Sequence, residues 1–342
     1  MSSRRNFIKT SALMSAASLL TPTNAFSELP KLAFTKIKPS ALKPGDTVAI
    51  CSPAGAVWDE HQIEIFTTIL KSFGFNVLLG KTLKEKFGYF SGTDDFRANE
   101  INELFADTTV KGIFCMKGGW GCARIIDKLD YELIGKNPKV LIGFSDITAL
   151  LLAITSKTNL ITFHGPVGNS GWNEFSKSVF TNVVMAPQLI KFPQNPLGED
   201  KIVTIYPGKI SGELVGGNLT VLSSLIGSEY LPNWKNKILF LEEAKEEPYS
   251  IDRMLTQLKL SGVLNSISGF VFGKCAKCLA EEPLKAFTFH EVIMQHILPL
   301  KIPAFYGAMI GHIENKLTVP LGIKAKIDAD NGSIFLEESC VN

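Results

Sequence analysis

Residues 140–148 read Val-Leu-Ile-Gly-Phe-Ser-Asp-Ile-Thr, an apolar run that passes through Ser145 into a helical pattern. A serine on such a turn holds its hydroxyl at the carboxyl edge of a parallel sheet, where open α/β sheets bind ligands. The helix start beyond it offers unpaired N–H groups and a partial positive charge to a developing oxyanion. The segment is close to the nucleophile elbow G-x-S-x-G, with Ile147 in place of the second glycine. Ser145 also suits the plainer role of a helix N-cap, and the residues leave both open. A second feature, Lys117-Gly118-Gly119-Trp120-Gly121, follows an apolar run ending at Met116 and fits neither a Walker A loop nor G-x-G-x-x-G. It is either a tight turn or a close backbone approach that brings the Gly119 amide to the same sheet edge as Ser145.

A serine nucleophile needs a base, and the base an orienting carboxylate. His61, His290 and His296 fall on polar helical faces, which leaves His164, in Phe163-His164-Gly165-Pro166, and His312, in Gly311-His312-Ile313-Glu314. The carboxylate candidate is Glu242, which ends the run Ile238-Leu239-Phe240-Leu241 and is followed by Glu243. Spacing alone does not choose among these combinations.

The elements that must carry these groups follow from hydrophobic periodicity. Strands are expected at 46–51, 75–79, 110–116, 140–144 and 160–163, with helices at 59–73, 93–107 and 146–157 between them. Alternation with short connections predicts an α/β fold, here a doubly wound parallel sheet of flavodoxin-like kind spanning residues 40–186. Pro187, Pro193, Pro196 and Pro207 mark 187–208 as a linker. Residues 209–342 form a smaller α/β or α+β domain, with strands at 237–242, 268–273, 317–319, 323–327 and 334–336 and helices at 250–260 and 287–298.

The first 27 residues read as an address. Arg4 and Arg5, Phe7, Lys9 and a short Ser/Ala-rich apolar stretch match a twin-arginine export signal, which places the mature protein in the periplasm. That stretch is shorter than the ~20 apolar residues of a membrane span, so no membrane insertion of the mature form is expected. The whole chain carries 35 Lys and Arg against 33 Asp and Glu, and removal of three basic residues with the leader leaves it near neutrality. Such a surface has no electrostatic footprint for nucleic acid. Cys51 and Cys115 lie in apolar runs and read as buried strand residues, whereas Cys275-Ala276-Lys277-Cys278 lacks a second pair at zinc spacing and reads as a surface disulfide pair.

Taken together the motifs resemble the LD-carboxypeptidase family of serine peptidases, which includes microcin C immunity proteins. The resemblance rests on Lys43-Pro44-Gly45-Asp46, Ser52-Pro53-Ala54-Gly55, Gly92-Thr93-Asp94-Asp95-Phe96-Arg97-Ala98-Asn99-Glu100, Gly118-Gly119-Trp120-Gly121 and Gly143-Phe144-Ser145-Asp146. It continues through Gly216-Gly217-Asn218-Leu219, Phe240-Leu241-Glu242-Glu243, Pro248-Tyr249-Ser250-Ile251-Asp252-Arg253-Met254-Leu255, Gly311-His312 and Pro320-Leu321-Gly322. It implies a Ser145–Glu242–His312 triad, with Glu243 in reserve, and an oxyanion hole of the Asp146 and Gly119 amides. It also implies a site between two domains, a homodimer, and no metal or cofactor. The expected reaction is removal of the terminal D-Ala from a murein tetrapeptide, a small peptide substrate. Arg97 and Arg124 are candidate partners for its carboxylate, or simply members of surface ion pairs. The alternatives are a microcin-type hydrolase acting on an amide or acyl-sulfamoyl-adenylate, with Trp172 or Trp234 as nucleobase clamp, and a non-catalytic periplasmic ligand-binding protein.

Overall fold

The structure, a computed structural model, describes residues 36–199 and 201–342; the twin-arginine segment lies outside the described residues. The first half alternates β1 (Thr47–Cys51), α1 (His61–Ser72), β2 (Asn76–Leu79), α2 (Asp94–Ala106), β3 (Val110–Cys115), α3 (Tyr131–Lys136), β4 (Val140–Gly143), α4 (Thr148–Thr158), β5 (Thr162–His164) and α5 (Glu174–Val184). These strands run parallel in the order β2-β1-β3-β4-β5, the flavodoxin-like arrangement expected from the sequence. The central strands are apolar because helices cover both faces, and every residue of β4 is buried. Cys51 and Cys115 are paired neighbours in this sheet, both buried.

The second half supplies β6 (Ile190–Lys191), β7 (Val203–Tyr206), β8 (Lys209–Asn218), α6 (Leu219–Ser224), β9 (Lys237–Ala244), α7 (Pro248–Leu260), α8 (Val263–Ser266), β10 (Gly269–Ala276), α9 (Phe289–Ile297), β11 (Ala304–Tyr306), β12 (Val319–Leu321), β13 (Ile323–Asp328) and β14 (Ser333–Leu336). Its mixed sheet holds eight strands, β6-β14-β13-β8-β9-β10-β11-β7. The proline-rich stretch expected to link two domains therefore contributes the two edge strands β6 and β7, positions where proline-flanked strands are tolerated. Another strand changes sides: β12 leaves the second half to pair antiparallel with β5, and the chain then turns at Gly322 into β13 of the other sheet. Residues 307–318 thus run from one sheet to the other and carry His312 across.

Helix α4 explains how the two sheets are held in register. It is buried at nine of its eleven residues and touches β5 of the first sheet and β8 of the second. A helix apolar all round has no solvated face to keep. Its first residue, Thr148, accepts the Asn218 N–H at 3.0 Å, which ties the Ser145 turn to the end of β8. Asn218 is in turn paired with Glu242 on β9. Cys275 and Cys278 form a disulfide at the end of β10.

Candidate active site

Ser145 stands directly beyond Phe144 at the carboxyl end of β4, with φ of 63°, a left-handed conformation that costs a non-glycine residue ~1–2 kcal/mol. Its hydroxyl does not cap a helix: the residue at the start of α4 is Ile147, and among the described residues Ser145 Oγ makes no hydrogen bond. Instead Ser145 lines a cavity of about 460 Å³ with Lys117, Gly118, Gly119, Phe144, Ser170 and His312. The glycine loop after β3 closes over the turn. A Cβ on Gly118 would stand 2.9 Å from Ser145 Cβ and 3.1 Å from its Oγ, so only glycine allows the approach. The Asp146 and Gly119 amides have no acceptor among the described residues.

The imidazole comes from the crossover. His312 Nδ1 lies 2.8 Å from Glu242 Oε2, leaving Nε2 without a hydrogen-bond partner among the described residues. Gly311 allows this contact, since its φ is 123° and a Cβ there would meet Glu242 Oε2 at 2.8 Å. Glu242 is fully buried and its Oε1 has no hydrogen bond. Burial pushes the carboxyl up, but the His312 hydrogen bond and imidazole charge outweigh it and hold the group below its ordinary range. No hydrogen bond joins Ser145 Oγ to the imidazole, a looseness common before substrate binds.

Its neighbour in sequence has another job. Glu243 points to the opposite face of β9 and accepts from Asn218 Nδ2, the Thr220 N–H and hydroxyl, and the Ala244 N–H at 2.8–3.0 Å. Burial, helped by the charge of Glu242, raises its carboxyl. His164, the rival base, is buried with neither ring nitrogen hydrogen-bonded and lies edge-on to Phe144 and Phe240. Burial, with the charges of His312 and Lys316, pushes it down to about 4. It is a packed ring, away from the cavity wall.

The expected carboxylate partners are not on that wall either. Arg97 is completely buried, with Nη1 donating to the Pro53 and Gly121 carbonyls at 2.6 and 2.9 Å and Nη2 to Asp94 at 2.6 Å. Arg124 grips the same Asp94 with Nε and Nη2, the latter at 2.7 Å, and both guanidiniums lie over the Phe90 ring. The Arg124 hydrogen bond, more than Arg97, holds the Asp94 carboxyl below its usual range. Arg97 braces the glycine loop from outside through the Gly121 carbonyl, and Arg124 is joined to Arg97 through Asp94. The Asp146 carboxylate braces the loop from inside by accepting the Cys122 N–H at 2.8 Å.

Sequence reasoning passed over Lys316, a cavity residue only 5% exposed. A lone lysine ahead of an apolar run carries no periodic signal, and its burial is created by the crossover. Trp172, a suggested clamp, packs among Phe66, Phe73 and Phe180 in the core, and Trp234 is half-buried against it. Among the described residues no group of three His, Cys, Asp or Glu side chains is placed to hold a metal ion, and no helix is long and apolar enough to cross a membrane.

Comparison with known proteins identifies the family. Residues 48–165 match the model of the LD-carboxypeptidase N-terminal domain and residues 211–327 that of the C-terminal domain. A probable murein peptide carboxypeptidase of Bacillus subtilis is 36% identical, over 88% of this chain and 94% of that protein. The structure of MccF in complex with glutamyl sulfamoyl guanosine superposes with a TM-score of 0.82 at 28% identity, covering 89% of this chain and 99% of that one. A muramoyltetrapeptide carboxypeptidase from Oxalobacter formigenes gives a TM-score of 0.75 at 27% identity, covering 85% and 97%. With both halves matched in order and a relative this similar along nearly its whole length, the chain belongs to the LD-carboxypeptidase family of serine peptidases.

Proposed function

We propose that this enzyme removes the terminal D-Ala from murein tetrapeptides, with Ser145 as nucleophile, His312 as base and Glu242 as its anchor. The observation that carries the reading is the 2.8 Å His312–Glu242 pair opening onto the cavity that holds the strained Ser145 turn. Ser145 Oγ attacks the carbonyl before D-Ala while His312 Nε2 takes its proton. The oxyanion is received by the Asp146 and Gly119 amides, which have no other acceptor among the described residues. His312 then protonates the leaving amine, D-Ala departs, and water attacks the acyl-enzyme by the same proton path. The proposal includes export to the periplasm, where this polymer lies, supported by Arg4 and Arg5 in the first 27 residues, and the homodimer that the family resemblance implies.

The test is incubation with defined muropeptides and mass spectrometry. Loss of one D-Ala by the wild type but not by Ser145→Ala is expected, together with fluorophosphonate labelling of the wild type alone. Release of another fragment overturns the substrate assignment, and labelling that survives Ser145→Ala overturns the nucleophile.

One observation favours a second reading. Trp58, Tyr89 and Trp120 are 68%, 64% and 45% exposed and surround a space of about 410 Å³ that shares Lys117 and Gly119 with the catalytic cavity. Aromatic faces beside a hydrolytic site suit a nucleobase, and the solved MccF complex holds a sulfamoyl nucleoside. Release of the amino acid from an aminoacyl sulfamoyl nucleoside, faster than D-Ala release, is the result that would favour it.

A further inference from the structure

A carboxypeptidase must hold a carboxylate close to its nucleophile. The leaving residue's carboxyl carbon is separated from the attacked carbonyl carbon by three bonds, so the two lie within about 4 Å of each other. Its receptor therefore belongs on the wall of the Ser145 cavity. Arg97 and Arg124 do not line that cavity. Of the two lysines on the wall, Lys117 already donates to the Ala56 carbonyl at 3.2 Å.

Lys316 differs. Its Nζ lies 4.5 Å from the centre of the Phe144 ring, the residue that precedes the nucleophile, and the His312 ring lies 4.8 Å from the same ring. The ammonium donates to Ser170 Oγ at 3.3 Å, a long bond to a neutral acceptor that is itself on the wall. No carboxylate among the described residues lies within 4 Å of it. A buried ammonium holding only a hydroxyl and an aromatic face is under-compensated for the water it gave up. Burial pushes it down to about 8, against the pull of Glu314 and Glu242, so it still carries its charge at neutral pH.

We infer that Lys316, with Ser170 beside it, is the receptor for the free C-terminal carboxylate of the substrate. The inference rests on the proposed exopeptidase activity and assigns its specificity. The ammonium and carboxylate form a charge-assisted pair in a partly dry cavity, which selects chain ends over internal peptide bonds.

The experiment compares a tetrapeptide ending in D-Ala with the same peptide ending in D-alaninamide, for the wild type, Lys316→Met and Lys316→Gln. The wild type should favour the acid by about 100-fold in kcat/KM, mostly through KM, and both variants should lose that preference, read as the ratio of acid to amide turnover within each variant. Equal turnover of acid and amide by the wild type overturns the inference without needing a folded variant, and leaves the exopeptidase reading intact. A variant that retains the preference also overturns it. If the labelled wild type releases neither D-Ala from the acid nor D-alaninamide from the amide, the exopeptidase reading falls and this inference with it.

Discussion

The cavity wall and the packed layer behind it are built from the same kinds of group. Glu242, His312 and Lys316 belong to the site; Glu243, His164 and Arg97 stand one step away from it. All six are buried or half-buried, so burial does not separate them. Bonding and placement together do. Glu243 is satisfied at both oxygens and Arg97 at both terminal nitrogens, and His164 is held neutral between aromatic rings. Among the described residues, His312 on the wall keeps one nitrogen free, Glu242 behind it keeps one oxygen free, and Lys316 on the wall holds its charge with only the Ser170 hydroxyl and the Phe144 ring. Unused capacity alone is not enough, since both His164 nitrogens and Arg97 Nε are unpartnered too; the three site groups differ in that theirs opens on the Ser145 cavity or joins it through His312.

The sharpest test of that distinction is Glu242→Gln. The amide keeps the shape but removes the charge that fixes the imidazole tautomer and stabilises the imidazolium. A loss of about 10³–10⁴-fold in kcat is expected, together with a lower melting temperature near neutral pH, where the depressed carboxyl contributes stability. A loss below tenfold would mean that the anchor is elsewhere.

Arg97→Met should do the reverse. It strands the Pro53 and Gly121 carbonyls and removes a buried partner of Asp94. Denaturant unfolding should show a loss of about 4 kcal/mol. The KM preference for a terminal carboxylate should persist in whatever fraction remains folded. Disappearance of that preference at unchanged stability would return Arg97 to the substrate.

Much of this was legible in the sequence, for reasons that differ by element. Periodicity marked β1, β3 and β4 because buried parallel strands are continuously apolar, and Thr93 with two following acids marked the start of α2. Strand β8 escaped because Gly212, Gly216 and Gly217 dilute its apolar signal, although they are what lets it lie against β9 and α4. The α/β pattern gave Ser145 its place at a sheet edge. The partnership of Glu242 with His312 depends on β12 crossing between the sheets, a long-range event that no local spacing announces. The same crossing buries Lys316.

His164 offers a test visible only in acid. Its folded-state value near 4 lies below the ordinary 6.5, so the unfolded chain binds the proton more tightly. The stability this confers is fully present above about pH 6.5 and drains away as pH falls toward 4, on the order of 3 kcal/mol in all. His164→Leu should flatten the stability profile across that window and leave kcat at pH 7 within a few-fold. A kcat loss comparable to that of His312→Ala would make His164 the base.

The smallest effect is expected at Glu243, and it is the most discriminating because sequence kept this residue in reserve as the anchor. Gln at 243 presents an amide to a cluster made entirely of donors, the Asn218 amide, the Thr220 N–H and hydroxyl, and the Ala244 N–H. One of those donors must lose its acceptor, at a cost of about 1–2 kcal/mol in unfolding free energy. The His312–Glu242 pair on the opposite face of β9 is untouched, so kcat should change by less than about fivefold. Since the Glu243 carboxyl is raised by burial, its charge is destabilising where the group ionises, and part of the cost should be recovered as pH rises through that range. A kcat loss as large as that of Glu242→Gln would show that the two faces of the strand are energetically one, and that unused bonding capacity does not identify the catalytic carboxylate.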